Sequence, residues 1–412
     1  MATYPHNLII GGGAAGLTAG VLLLRAGARV TLVERGSRVG KKLLATGNGT
    51  CNVGNRRMDI SHYHGAAPSF AEPALAACSP DDAAAFLSSV GVETVSREDG
   101  RVYPRSLQAA AVLDCLRTAF AALGGELQCD TEIVKLTADK QGVTAVSADG
   151  ARFAADNVLV CTGGAASPSC GGFVGGYALL EQLGHTRTPL FAAVVPLKTD
   201  TTFVKSVKGI RADVALTLQI NGRAVASHSG ELLFTEYGLS GPVVMQISRV
   251  IGDFERKPKG LAEAVIDLLP DLSKSQLIEM LRARRTLDNG ARAMELFFTG
   301  LLHNRIGQTV VRMANLSLSA PVSSLTDAQI ARLVDLIKGW TIPVTGTTGL
   351  AHAQVTAGGI ATADFDPHTL RSRKAPRVFA AGEVLDIDGD CGGYNLHFAI
   401  ASAHLAARGM LL

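Results

Sequence analysis

At 412 residues the chain is long enough for two or three domains with substantial buried cores. Apolar residues make up 47% and charged residues 18%, the composition of a compact, somewhat apolar globular protein. A net charge of +3 gives no bulk argument for a nucleic-acid protein, so that case has to rest on a local basic patch. The seven cysteines (Cys51, Cys78, Cys115, Cys129, Cys161, Cys170 and Cys391) are odd in number and scattered, with no C-x-x-C pair and no zinc pattern, which reads as reduced thiols in a cytoplasmic protein. Residues 1–24 lack Lys, Arg, Asp and Glu. Three successive glycines break that apolar run and a strand follows, so the expectation is a soluble chain with no membrane partner.

The run Asn7–Ile10 is short, apolar and followed by glycines, as suits a buried parallel strand. A helical spacing of Ala, Leu and Val follows from Ala14 to Ala26, Gly27 stops it, and residues 29–34 form the next strand. This βαβ unit carries Gly11-x-Gly13-x-x-Gly16 at its first turn. Gly11 permits the tight turn, Gly13 lets a pyrophosphate approach the backbone, and Gly16 lets the helix lie close on the sheet. The helix start at Ala14 and Ala15 supplies amides to the diphosphate. Glu34 closes the second strand, where its carboxylate accepts ribose hydroxyls and repels a 2′-phosphate. Arg35 and Val134 join the expected cofactor-binding set.

Lys41 and Lys42 follow, either neutralising pyrophosphate or standing in a solvated loop. The segment 45–52, with Gly47 and Asn48, is a second glycine- and amide-rich loop. A flavin needs such a loop because the chain must pass its ring with little side-chain bulk, so FAD is favoured over NAD; an ordinary Asn-Gly turn is the alternative. Residues 158–163 read as a third buried strand ending in Thr162-Gly163. From about 190 to 345 the pattern changes: residues 213–226 alternate and turn at Asn221-Gly222, a hairpin signal. Residues 273–313 read as helices, the first capped by Ser273. This helical insertion holds Lys274, Arg282, Arg284, Arg285, Arg292, Arg305 and Arg312 against Asp271, Glu279, Asp288 and Glu295. A solvated helical face explains the imbalance most simply, and an RNA-backbone patch is the alternative. Near the C-terminus a strand closes on Gly382-Glu383, and a helix begins after two glycines at Asn395 and Leu396. As in flavoproteins whose late strand closes on an acid, Glu383 is expected on the ribitol chain and the helix start at the N1/O2 edge of the flavin; a charged surface loop at Glu383 and Asp386 is the alternative.

Taken together, "GKKLLATGNGTCN", "GRVYP", "CTGG", "GELLFTEYGLSGP", "AQVTAGGI" and "AGEVLD…GGYNL" run in order along nearly the whole chain. In these segments the sequence resembles the BaiN/YhiN-type (aminoacetone-oxidase-like) family of FAD-dependent NAD(P)H oxidoreductases. The resemblance implies an α/β fold: a GR2-like Rossmann FAD-binding domain assembled from both chain ends, with an inserted β-barrel-like domain and a small helical subdomain. The corresponding boundaries are 1–190 and 346–412 for the FAD-binding domain, 191–272 and 314–345 for the barrel, and 273–313 for the helices. Two positions depart from the family pattern: Glu236, where relatives carry His, and His397-Phe398, where they carry Gln and a tryptophan-containing stretch. The departures leave the FAD scaffold and touch the proton donor or acceptor.

Cys51, Tyr103 and His397 are the candidate catalytic groups, each set against an ordinary packing role; His64 reads as a surface loop. No Ser-His-Asp arrangement or metal-ligand grouping supports hydrolysis. A second glycine-plus-acid unit is missing, so NAD(P)H is expected to enter transiently and pass hydride through the flavin to an electron-poor C=C acceptor, a small molecule. The competing readings are an amine oxidase using oxygen and an RNA-modifying flavoprotein that reduces a uracil ring.

Overall fold

The computed structural model describes residues 5–412; the first four residues of the expected FAD-binding domain lie outside it. The chain divides into two compact units, one formed by residues up to Phe191 and from Ala353 to Leu412, the other by Ala192–His352.

The first unit is built on a five-stranded parallel sheet. Its strands are β1 (His6–Ile10), β2 (Arg29–Val33), β3 (Glu126–Gln128), β4 (Asn157–Val160) and β5 (Val378–Ala380), in the order β3-β2-β1-β4-β5. Ile10 pairs with Val33 on one side and Val160 on the other, and Val160 pairs with Ala380. Leu8, Ile9, Leu32, Val158, Leu159 and Val378 are fully buried or nearly so, because a parallel sheet is covered on both faces. The strand order reverses between β1 and β4, which opens a crevice beyond the carboxyl ends of those two strands. Helix α1 (Ala14–Arg25) buries Leu17, Val21 and Leu23. It ends at Gly27, whose φ of +86° only glycine adopts without strain, with Gly27 N–H donating to the Leu24 carbonyl and Ala28 N–H to that of Leu23. The short α2 (Lys41–Ala45) follows β2, and α3 (Tyr394–Met410) packs along α1.

The second unit is a closed antiparallel barrel of six strands, in the order 197–199, 238–240, 223–234, 211–220, 262–267, 340–347. The expected hairpin turns at Asn221-Gly222, both with positive φ (+52° and +75°), the chemistry of a type I′ turn. Phe234 and Trp340 stack in its core at 5.4 Å. Three helices, Lys274–Arg285, Asn304–Met313 and Asp327–Lys338, lie between its last two strands. The first is closed by a reciprocal Ser273–Gln276 capping box. The helical stretch thus runs on to Lys338, within the 314–345 range expected as barrel, because residues 327–338 carry a 3.6-residue apolar spacing (Ile330, Leu333, Val334, Ile337) rather than alternation. Among the described residues no helix is long and apolar enough to cross a membrane.

Candidate dinucleotide and flavin site

The turn between β1 and α1 lies at the crevice. Gly11 has φ +106°, and a Cβ there would stand 2.5 Å from the carbonyl oxygen of Cys161, the residue after β4. At Gly16 a Cβ would meet the Gly11 oxygen at 2.0 Å, so helix and turn touch backbone to backbone. A Cβ on Gly13, in contrast, would have nothing within 4 Å: this is open space where backbone faces outward. Gly13 is the N-cap of α1, with no side-chain cap and no acid in the first turn, so the amides at Ala14 and Ala15 carry the partial positive charge of a helix start. Gly12, which the fingerprint pattern passes over, is crowded as Gly11 and Gly16 are, since a Cβ there would lie 2.3 Å from Val39 Cγ1. Its signal is the third glycine of the run.

Glu34 accepts one hydrogen bond on each oxygen, from Gly12 N–H at 2.9 Å and Gly36 N–H at 2.7 Å. A carboxylate offers about four acceptor sites, so roughly two remain for hydroxyl donors. The Arg35 guanidinium lies 4.2 Å over the Phe173 ring, making a flat cationic surface beside the acid. Thr131 N–H donates to the Glu34 carbonyl at 2.9 Å, bringing the start of the 133–138 strand to this end of the site. Val134 sits there at a bulge, its side chain 43% exposed and its carbonyl accepting from Gln182.

Across the crevice, Glu383 follows β5. Its Oε2 accepts from Lys42 Nζ at 2.6 Å and its Oε1 from Thr356 N–H at 2.8 Å, with both charged side chains a third exposed or less. Gly163 has φ +71°, and a Cβ on it would come 4.0 Å from Glu383 Oε2. Gly382 packs on Ala15 and donates its N–H to Ser402 of α3, tying both helices to the end of β5. Thr162 Oγ1 is buried with no partner. Lys41 is exposed on α2, apart from this pairing.

The loop 46–52 has the predicted lack of bulk. Gly47 and Asn48 both have positive φ (+55° and +53°), and the ring of Tyr103 lies 3.8 Å from where a Gly47 Cβ would be. Tyr103 is half-buried, with the Arg97 guanidinium 4.8 Å over its ring. Cys51 is fully buried, and burial pushes its thiol up to about 11, so it is a protonated thiol at neutral pH. Asn52 Oδ1 is a second buried acceptor without a partner, next to Gly393 at the start of α3. Asn395 grips the preceding loop, its amide exchanging hydrogen bonds with both backbone groups of Gly389 at 2.7 and 2.8 Å. Leu396 is half-buried. His397 is 1% exposed, donates from Nε2 to the Cys78 carbonyl at 3.0 Å, and is pushed down to about 4 by burial. It is a neutral imidazole inside the fold.

In the second unit, Glu236 pairs with Lys208 on the surface. Arg282 bonds Glu279 and Asp327, Arg285 bonds Asp327 and the Leu325 carbonyl, and Arg284 donates to the carbonyls of Phe297 and Thr299. These three guanidiniums cross-brace the helical region.

A reversal point in a parallel sheet, an open Gly13, an acid after the second strand and an amide-rich third loop define a Rossmann-type FAD-binding protein. The whole-chain comparison agrees: the chain belongs to the family of the HI0933-like protein Rossmann domain, whose model matches residues 5–409. It is thus a FAD-dependent oxidoreductase by family. It is 36% identical to a 3-dehydro-bile acid delta(4,6)-reductase of Clostridium scindens over 407 residues, 97% of each chain. It is also 28% identical to the ribosomal RNA dihydrouridine synthases of Haemophilus influenzae (99% of this chain, 98% of that one) and Escherichia coli (98% and 97%).

Proposed function

We propose that the chain is a reductase in which NAD(P)H reduces bound FAD and hydride passes on to an electron-poor C=C bond of a small-molecule acceptor. The observation that carries the acceptor class is the full-length identity of 36% to a protein named as a delta(4,6)-reductase. When bound, FAD supplies two-electron hydride exchange. The residues present fit it. Glu34 keeps acceptor capacity for ribose hydroxyls, the α1 start offers amides to a diphosphate, and Lys42 adds a positive charge that Glu383 holds in place. Thr162 Oγ1 and Asn52 Oδ1 are buried polar atoms that a polar ligand would satisfy. The α3 start, with Gly393 as its N-cap, carries a partial positive charge that would favour an electron-rich ring edge.

A second reading, reduction of a uracil ring in RNA, is favoured by the two relatives named for ribosomal RNA. Anaerobic reduction with NADH or NADPH, followed by reoxidation with a steroid 4-en-3-one, a quinone or ribosomal RNA, separates the two. Bleaching by a nicotinamide and recovery with the enone supports the first reading. Recovery with RNA alone replaces it with the second, and a protein that is colourless and takes up no FAD ends both.

A further inference from the structure

The first unit also holds a cluster of titratable side chains that takes no part in the dinucleotide contacts. Asp390 Oδ2 bonds His62 Nδ1 at 2.9 Å, and its Oδ1 bonds His64 Nε2 at 2.7 Å. One carboxylate thus orients two imidazoles, each through one ring nitrogen. His62 and His64 are 33% and 32% exposed, and the second ring nitrogen of each (Nε2 of His62, Nδ1 of His64) lies outside the bond to Asp390.

The cluster is tied to the start of α3, which the reductase reading assigns to the flavin. Residues 63–64 pair with 388–389 in a two-stranded ladder, and Asp390 N–H donates to the His62 carbonyl at 2.9 Å. His62 stacks on Tyr394, the first residue of α3, with centroids 4.3 Å apart. Asn395 clamps Gly389, one residue before the acid. Asp390 is held ionised by its two histidines against the cost of burial. Asp59 interacts with His62; Arg57, Arg101 and Asp59 act on the Tyr394 that His62 stacks on; and Asp388 pairs with His64 along the ladder. Cys51 and His397 are less suited to giving up a proton: Cys51 is fully buried with a raised thiol, and His397 is a buried neutral imidazole whose N–H is already donated.

We propose that the His62–Asp390–His64 cluster is the acid that completes reduction of the acceptor, the free-nitrogen N–H of one imidazolium delivering the proton. The proposal rests on the reductase reading. FAD, when bound and reduced, would supply hydride to the β-carbon of the C=C–C=O system, and the π pair would move onto the α-carbon. That carbon then forms its C–H bond as the imidazolium N–H breaks, leaving a neutral imidazole that solvent reprotonates. Asp390 is a positioning residue: it fixes the orientation of each ring through one nitrogen.

The test uses His62→Asn, His64→Asn and Asp390→Asn in FAD-loaded protein, with a steroid 4-en-3-one as probe. Anaerobic bleaching by NAD(P)H should change less than about threefold, while reoxidation by the enone falls about 10²–10⁴-fold in the donor variant. Independently of turnover, the imidazole C2–H NMR resonances of His62 and His64 should shift when the enone is added to oxidised protein, and Asp390→Asn should alter both. Unchanged reoxidation in the His62/His64 double variant, or enone binding that moves neither resonance, overturns the proposal. Loss of bleaching in every protein, wild type included, counts instead against the reductase reading, and the resonances then decide the proposal alone.

Discussion

Glu34 shows what one side chain contributes at this site. It already satisfies two backbone amides, so Glu34→Ala removes both those bonds and the acceptors for ribose. FAD affinity should fall by roughly 1–3 kcal/mol, the cost of leaving such groups unpaired. Unchanged affinity in a fluorescence titration would mean the adenosine end lies elsewhere. His397 gives a stability prediction with a definite sign. Its folded-state value of about 4 lies below the ordinary imidazole value of about 6.5, so the folded state prefers the neutral ring. The contribution is full above about pH 6.5 and is lost as pH falls toward 4, where the unfolded chain binds the extra proton. The gap corresponds to on the order of 3 kcal/mol. Urea unfolding at pH 7 and pH 5 should show a loss that His397→Asn largely abolishes; equal pH dependence in both proteins would contradict the assignment. Cys51 behaves oppositely. Its raised thiol should leave it resistant to iodoacetamide at pH 8 in the folded protein, and Cys51→Ser should retain flavin reduction by NAD(P)H.

At the scale of elements, pairing decides how charge is used. The Lys42–Glu383 bond joins the start of α2 to the turn after β5, residues 341 positions apart. Lys42→Met should leave Glu383 without its cation and lower both FAD affinity and the melting temperature. A double-mutant cycle with Glu383→Gln should give a coupling of about 0.5–2 kcal/mol, and additive effects would mean the pair is incidental. The helical region shows the limit of counting charges. Its basic excess is plain in the sequence, but the partners of that excess are not. Asp327 lies 42 residues beyond Arg285, outside the 273–313 stretch, and the carbonyls of Phe297, Thr299 and Leu325 carry no formal charge. The Asn221-Gly222 hairpin and the Ser273 cap were legible because their chemistry is local. The Glu34–Gly12 bond, the Arg35–Phe173 stack and the His62–Asp390–His64 cluster were not, because each is made by folding separate segments together.

For the whole molecule the sheet order carries the argument. β4 and β5 are separated by more than two hundred residues, yet they are neighbours, and both end at the crevice where β1 turns into α1. The first strand, helix and acid declared themselves in the sequence because glycine spacing at a strand end has few other uses, and the late Gly382-Glu383 was found by the same logic. Their adjacency follows from the parallel order, which lets both chain ends contribute to one crevice. FAD binding should therefore protect segments that are remote in the chain at the same time. At a ligand concentration of 100 times Kd the bound state gains about 2.7 kcal/mol over the free one. Hydrogen exchange with and without FAD should show slowed amides at residues 11–16, 46–52, 161–164 and 382–396 together. Protection confined to the first fifty residues would mean that the C-terminal segment takes no part in holding the cofactor, and the cofactor-binding roles of Glu383, Asn395 and the start of α3 would fall with it.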